Sequence, residues 1–226
     1  MKKLTQKIFK YHKLLLSTLI LATSTHSYSI SKKELFNKLS SVENDQQAME
    51  IFREYGKSNK LTEAQLTKLL MQISKEGERA IATHDLIVLI DNLIQFNYSQ
   101  SNSFEGLSVE KIINTGEINK TNISKDRKKI IHAWKGKVDI QPNKEEDNTS
   151  YLITLNKVPN SELQCQAISL SILKKKNSFL KQIIINGKSL VVKNYEDLPN
   201  NEKINLLKQI KSSCNEKDNK ITFVFH

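Results

Sequence analysis

The sequence contains little glycine and proline, and few cysteines. Six glycines and three prolines among 226 residues exclude collagen-like and linker-rich chains. The two cysteines, Cys165 and Cys214, both fall in the C-terminal part. Apolar residues make up 38% of the chain and charged residues 26%, which allows one folded domain with a modest core and a helical extension.

Acidic residues are missing from the first 29 positions, which contain five lysines and contribute strongly to the formal net charge of +11. Once those five are subtracted from 35, the remainder has 30 basic and 24 acidic residues, a net charge of +6. Nucleic-acid modules usually interleave basic residues with exposed aromatics or carry a recognisable motif. Neither is present, so we expect a lysine-rich solvated surface and no specific nucleic-acid partner.

The apolar run near the N-terminus is short, covering only residues 14–22. It follows a basic stretch and precedes small residues, an order that predicts a secretory signal peptide over 1–29, cleaved after Ser24 or Ser29. Nine residues fall far short of the roughly 20 that span a bilayer. We therefore expect no stable membrane span after removal of the leader, and an uncleaved membrane tether is the alternative.

Export places Cys165 and Cys214 in an oxidising compartment, where they are expected to pair. The bond would close a loop of about 50 residues and contribute roughly 4 kcal/mol of stability. A reactive thiol would need a nearby base and an unpaired cysteine, so we favour the structural disulfide.

Apolar spacings predict a helical extension over residues 30–79. Gly56 is expected to end a first helix that begins near Lys32. Thr62 and Gln65 match a capping box that starts a second helix. Gly77 is expected to interrupt or loosen this second pattern.

A third helix is predicted over residues 80–96, which are apolar over most of the helix circumference. Such a wide apolar surface predicts a largely buried helix. Asp85, Asp91 and Asn92 are expected to mark its exposed edge. His84 lies among them without a second histidine at metal-ligand spacing, so we expect a structural role for it.

The C-terminal part predicts a small antiparallel sheet with helices. Residues 186 and 187, Asn and Gly between β-branched runs, are the signal of a type I′ hairpin turn. Pro159 is expected to end a strand. The predicted strands cover 138–140, 151–155, 181–185, 189–192 and 221–225, and the predicted helices cover 108–114, a segment after Ser161 and a segment from Asn200 or Asn201 to about Ser212.

Trp134 lies two residues before Gly136. This spacing suggests that the Trp134 ring lies over the backbone of Gly136, which has no side chain to obstruct it. We expect a Trp packed in the core, and a sugar-binding Trp is the alternative. Together with Pro159, Asn186 and Gly187, these residues form the predicted structural core.

One set of residues stands in a characteristic order along 80–226: Phe104, Gly106, Leu107, Trp134, Gly136, Val138, Tyr151, Ile153, Thr154, Val158, Pro159, Cys165, Asn186, Gly187, Cys214 and the strand 221–225. In this order and spacing, the region resembles the globular head of type IV pilins, specifically the type IVb group with PilS-like and conjugative-pilus pilins. The resemblance implies an α+β fold in which a long buried helix packs on a small antiparallel sheet, with a disulfide-bounded region.

The N-terminal region departs from that family. Pilins carry a prepilin-peptidase site and a long apolar helix, usually with a Glu near its start. Residues 31–75 instead predict a polar, amphipathic helix, and a filament core built from it would bury many Lys and Glu side chains. We therefore divide the chain into a signal peptide (1–29), a helical extension (30–79) and a pilin-like domain (80–226).

No catalytic motif stands out. The sequence has no Gly-rich phosphate loop, no nucleophile elbow and no His-x-x-x-His pair. We expect no enzymatic activity, no cofactor and no metal, and a periplasmic enzyme is the least favoured alternative.

The expected role is recognition of proteins by two loops, 143–149 and 194–203. We expect an accessory (minor) subunit or recognition module of a type IV pilus or related secretion or conjugation system. The alternative is a secreted soluble adhesin or effector with the same fold. We expect the protein to be exported in a Gram-negative-type bacterium, whether periplasmic, extracellular or pilus-associated. The candidate binding residues are Lys144, Glu145, Glu146, Asp147, Tyr195, Glu196 and Asp197.

Overall fold

The computed structural model describes residues 34–35, 38, 45–98, 100–101, 103–159, 162–173, 179–191 and 195–226. The predicted signal peptide, its cleavage sites and Ser161 lie outside these residues. The chain divides into two compact units, Met1–Glu78 and Arg79–His226, and the sequence-based division had placed this boundary after residue 79. Among the described residues, no helix has the length and apolarity needed to cross a bilayer.

The first unit contains helix α1 (Asp45–Ser58) and the beginning of helix α2 (Glu63–Tyr98). Its small core is formed by Leu35, Ala48, Phe52, Tyr55 and Leu70. The expected stop at Gly56 is wrong, because α1 continues to Ser58. A Cβ at Gly56 would lie 3.2 Å from Cδ2 of Leu66, so the glycine permits close packing rather than ending the helix.

The capping box at the start of α2 is present. The Thr62 amide donates to Oε1 of Gln65 at 2.8 Å, and the Gln65 amide donates to Oγ1 of Thr62 at 3.2 Å. The expected interruption at Gly77 is wrong, since α2 runs without a break through it. Glycine costs a helix interior only about 1 kcal/mol relative to alanine, which the packing on either side can offset.

Only one face of α2 is fully buried in the second unit. That face carries Leu86, Ile87, Ile90 and Ile94, spaced by three or four residues. The predicted largely buried helix is therefore more exposed than expected at Phe96, which lies off this stripe and is 82% exposed. Asp85 and Asn92 are exposed as expected.

Asp91 does not mark the exposed edge of α2, as the sequence had suggested. Asp91 is buried, at 3% exposure. The hydroxyl of Tyr151 donates a hydrogen bond to its Oδ1, which offsets the cost of burying the carboxylate. The helix and the sheet meet at this polar contact inside an apolar core.

Six antiparallel strands form one sheet in the order β1-β2-β3-β6-β4-β5. The last strand of the chain thus lies at the centre, between β3 and β4. The strands are β1 (Ile130–Ile131), β2 (Lys137–Pro142), β3 (Tyr151–Pro159), β4 (Leu180–Ile185), β5 (Lys188–Val191) and β6 (Asp218–Phe225).

Alternation along the central strands builds the core under the helices. Tyr151, Ile153 and Leu155 of β3 lie opposite Phe225, Phe223 and Ile221 of β6, and all six are fully buried or nearly so. On the other face, Thr154 and Thr222 pair with their hydroxyl oxygens 2.9 Å apart. The predicted α+β class, with a long helix packed on a small antiparallel sheet, is confirmed.

The described part of the second unit also contains the α-helices α3 (Val109–Asn114), α4 (Ala167–Leu173) and α5 (Asn200–Ser213). Oγ of Ser108 accepts from the Lys111 amide at 3.3 Å and caps α3. A π-helical turn (Glu162–Gln166) precedes α4 and contains Cys165. Cys165 and Cys214 form the predicted disulfide, with their Cα atoms 5.8 Å apart.

Candidate recognition surface

Both predicted binding loops leave the same end of the sheet. The strand register places Pro142, Tyr151, Leu180 and Phe225 together at this end, which we call the recognition end. The loop 143–150 joins β2 to β3 there, and β5 also finishes there before the turn Tyr195–Asp197. The disulfide and the β4–β5 turn lie at the opposite end.

The β2–β3 loop is closed by hydrogen bonds at its base. The Asn143 amide donates to the Ser150 carbonyl at 2.8 Å, and Nδ2 of Asn143 donates to Oγ of Ser150 at 2.9 Å. Asp147 and Asn148 both adopt left-handed conformations, with φ of 50° and 60°. The Phe104 amide donates to the Asn148 carbonyl at 2.8 Å, which ties the loop to the segment after α2. The loop therefore has a defined shape.

Glu146 contributes to that shape rather than to the exposed charge of the loop. Its carboxylate accepts from Nζ of Lys181 at 2.5 Å and from Oγ of Ser150 at 2.8 Å. The hydrogen bond from Lys181, followed by that from Ser150, holds the pKa of Glu146 below its ordinary value. The other predicted residues of this loop, Lys144, Glu145 and Asp147, are exposed.

In the second predicted loop, Tyr195 is half-buried and packs against the core. The Lys203 ammonium lies 5.6 Å from the centre of its ring, within the range of a cation–π interaction. Asp197 is exposed, whereas the side chain of Glu196 lies outside the described part of the structure. The sequence grouped these three residues as equivalent, but Tyr195 has a packing role.

Two exposed phenylalanines at the recognition end were not among the predicted binding residues. Phe96 is 82% exposed near the end of α2, and Phe179 is 57% exposed just before β4. Nε2 of Gln95 donates to the His226 carbonyl at 2.7 Å, and the His226 amide donates to the Phe179 carbonyl at 3.0 Å. These bonds connect the backbones that carry both rings. Phe96 could have been found from its position off the buried stripe of α2, but Phe179 has no comparable signal.

A buried polar network lies beneath this surface. Tyr151 donates to Asp91 and accepts from Nε2 of Gln95 at 3.0 Å. Burial, and then the charge of Asp91, raise the pKa of Tyr151 well above its ordinary value, so the hydroxyl keeps its proton. The Tyr151 ring stacks on Phe225 with centroids 5.4 Å apart. Helix α2, strand β3 and the end of β6 are thereby held together.

The opposite end of the sheet is organised by asparagines next to the disulfide. Nδ2 of Asn186 donates to the Ser213 carbonyl at 2.9 Å and to Oδ1 of Asn219 at 2.8 Å, while Oδ1 of Asn186 accepts from the Lys220 amide at 2.8 Å. Asn186 and Gly187 both have positive φ, 52° and 81°, as a type I′ turn requires. Pro159, half-buried, is the last residue of β3 and lies opposite Asp218.

The sequence model of the PilS N-terminal family matches residues 78–226, about two thirds of the chain. The chain belongs to the PilS N-terminal family. No curated protein and no solved structure matches it. Residues 78–226 are thus a PilS-like, type IV pilin-related domain, and the protein is related to the type IV pilus.

Within the PilS domain, the ring that lies over Gly136 is His132, not Trp134. A Cβ at Gly136 would lie 1.8 Å from the Asn156 carbonyl oxygen and 2.3 Å from Nε2 of His132, which leaves room only for glycine. His132 is buried at 1% exposure, and its Nε2 lies 2.7 Å from the Asn156 carbonyl oxygen. Trp134 packs partly buried at the margin of the core and makes a T-shaped contact with His132, with ring centroids 5.7 Å apart. The sequence did not point to His132, since it stands in a basic stretch without a motif.

Both ring nitrogens of His132 have partners in the PilS domain. The Trp134 amide donates to Nδ1 at 3.3 Å, which leaves Nε2 to carry the proton and donate to Asn156. Burial lowers the pKa of His132 below 6.5, so the ring is neutral. Among the described residues, no group of three His, Cys, Asp or Glu side chains is arranged to hold a metal ion.

Proposed function

We propose that the protein is an exported, non-enzymatic accessory (minor) subunit or recognition module of a type IV pilus or a related secretion or conjugation system. The observation that carries the proposal is the match of the PilS N-terminal family to residues 78–226. The partners are proteins, either components of the system or a cell-surface molecule.

The recognition end supplies the contact surface. Exposed Phe96 and Phe179 provide apolar area, and Lys144, Glu145 and Asp147 provide charges. Protein interfaces commonly combine aromatic anchors with a polar rim. The closed β2–β3 loop and the Tyr151 network keep this surface ordered before binding, which lowers the entropy lost on association.

Export is supported by the leader-like order of residues 1–29 and by the disulfide. Structural disulfides form and persist in oxidising compartments such as the periplasm and the extracellular space. The protein would act in one of these compartments or on the pilus itself.

A specific observation favours a second candidate, a secreted adhesin or effector that does not join a pilus. The described part of the first unit is polar on its outer side, and most of its Lys and Glu side chains are exposed. Packing such a surface into a filament core would require burial of charges, which is costly.

The test is affinity capture by the oxidised full chain, with captured proteins identified by mass spectrometry. We expect pilus or secretion components to be captured, and Phe179→Gln to reduce their amount. Met71→Gln is the matched control, because Met71 is exposed to a similar degree, 54% against 57%, but lies in the first unit. Capture of no such component by the unaltered protein would rule out the pilus proposal and favour the adhesin. Equal effects of the two substitutions would instead show that the recognition end is not the contact surface.

A further inference from the structure

A short hairpin turn at the edge of the sheet carries a concentration of positive charge. The bridge between Ile123 and Ile130 leads into β1, the edge strand beside β2. Residues 124–129 form the turn between them, and we call them the basic turn. Ile130 is fully buried beneath it, so the turn is anchored in the core.

The basic turn is held by its own hydrogen bonds. The Ser124 amide donates to the Lys129 carbonyl at 2.9 Å, and the Lys129 amide donates to Oγ of Ser124 at 3.0 Å. The Arg127 amide donates to the Ser124 carbonyl at 2.8 Å, with Arg127 in a left-handed conformation at φ 55°. The backbone geometry does not depend on any of the long basic side chains.

Four of the six residues in the basic turn are cationic and exposed: Lys125, Arg127, Lys128 and Lys129. The one acid, Asp126, accepts hydrogen bonds from the Ser124 hydroxyl and the Lys128 amide. The bond from Ser124, and then that from Lys128, keep the pKa of Asp126 below its ordinary value. With four cations and one anion, the turn has a net charge of +3 over six residues.

We propose that the basic turn binds the headgroup phosphates of an anionic lipid bilayer. Clusters of Lys and Arg near such a surface are attracted by its negative potential, which acts within a Debye length. The four cations stand within five consecutive exposed residues of one turn, so several of them can reach the same surface at once. Residues 124–129 include no aromatic side chain on which a nucleic-acid base could stack, and so a bilayer is favoured over a single strand. The proposal does not depend on assembly into a pilus.

The experiment is sedimentation of the oxidised full chain with vesicles of phosphatidylcholine, with or without phosphatidylglycerol. One variant combines Lys125→Gln, Arg127→Asn, Lys128→Gln and Lys129→Gln, and Asn is chosen because it tolerates the left-handed conformation. The control variant combines Lys188→Gln, Lys208→Gln, Lys217→Gln and Lys220→Gln, four exposed lysines elsewhere in the same unit. Both variants change the net charge equally.

We expect binding to phosphatidylglycerol vesicles only, weakened by added salt. Each cation near the surface contributes about fivefold, so the basic-turn variant should bind at least about 100-fold more weakly, and the control variant should bind almost normally. A milder variant with only Lys125→Gln and Lys128→Gln should lose about tenfold or more and leaves the turn's hydrogen bonds in place. Equal losses in the two four-residue variants, or no vesicle binding by the unaltered protein, would overturn the proposal. Tighter binding to a DNA oligonucleotide than to the vesicles at equal salt would overturn it as well.

Discussion

Gly136 has neighbouring atoms so close on two sides that no side chain fits at this position. The Asn156 carbonyl and the His132 ring both approach the position that a Cβ would take, at 1.8 and 2.3 Å. The His132 amide also donates to the Gly136 carbonyl at 3.0 Å, so the backbone cannot move away without loss of this bond. The sequence motif identified the glycine correctly, but it assigned the neighbouring ring to the wrong residue.

Gly136→Ala is expected to lower the free energy of unfolding by about 3 kcal/mol or more, because the methyl group would overlap backbone and a buried ring. Gly116→Ala is the control. Gly116, unlike Gly136, has a positive φ, 78°, but nothing lies within 4 Å of its would-be Cβ, so only about 1 kcal/mol of conformational strain is expected. Urea unfolding measures both. Similar losses in the two variants would show that steric overlap at Gly136 is not the cause.

His132 should make stability depend on pH. Its pKa in the folded protein is below the unfolded value of 6.5, so the unfolded chain binds the proton more readily. The stabilisation is complete above 6.5 and is lost as pH falls through 6.5 toward the folded pKa, at a slope of up to about 1.4 kcal/mol per pH unit. Urea unfolding between neutral and mildly acidic pH measures this slope. The slope should be smaller in His132→Gln, and an unchanged slope in that variant would contradict the assignment.

Helix α2 is attached to the sheet by apolar packing and by polar contacts, among them the hydrogen bond between Tyr151 and Asp91. The buried face of α2 supplies most of the apolar contact with the sheet. The Tyr151–Asp91 hydrogen bond satisfies the carboxylate of Asp91, which is buried, whereas Asp85 is exposed. Periodicity placed the apolar stripe well. It could not place Asp91, because the partner hydroxyl lies 60 residues away in the sequence.

Tyr151→Phe should destabilise the protein by about 1–3 kcal/mol, because the buried Asp91 loses a hydrogen-bond donor while the ring still fills its space. Tyr98→Phe is the control, at a half-buried tyrosine at the end of α2, and it should cost little stability. A double-mutant cycle with Asp91→Asn, followed by thermal or urea unfolding, isolates the pair. If the two substitutions are additive, the contact does not couple the helix to the sheet.

In the second unit, the disulfide links distant segments at one end of the sheet, and the Tyr151 network links α2 to the sheet at the other end. The disulfide spans 49 residues that include α4, β4, β5 and α5. Because β6 lies at the centre of the sheet although it comes last in the chain, the fold is complete only after this segment has been placed. The cross-link restricts that segment in the unfolded chain.

Replacement of both cysteines, Cys165→Ala with Cys214→Ala, should reduce the free energy of unfolding by roughly 4 kcal/mol. Reduction of the disulfide in the unaltered protein should lower the free energy of unfolding by nearly the same amount. Urea unfolding measures both losses, and their agreement is the check. The reduced double variant should show no further change. A loss below about 1 kcal/mol would mean that the unfolded chain is already restricted in this segment.

Local chemistry in the sequence determined the elements that depend only on neighbouring residues. The Thr62–Gln65 capping box, the Ser108 cap and the Asn186–Gly187 turn follow from side chains a few positions apart, and the hydrophobic periods located the helices and strands around them. The pairing of the only two cysteines followed from composition and compartment. The order and spacing of Trp134, Gly136, Pro159, the two cysteines and the Asn186–Gly187 turn helped to point to the family that matches residues 78–226.

The tertiary structure alone decided which polar groups are buried and which apolar groups are exposed. Asp91, His132 and Glu146 take their roles from Tyr151, Asn156 and Lys181, partners that lie between 24 and 60 residues away. The strand order likewise brings the β2–β3 loop to the recognition end beside Phe179. A hydrogen bond between distant segments leaves no periodic trace in the sequence, since its free energy depends on how strands pair rather than on adjacent residues.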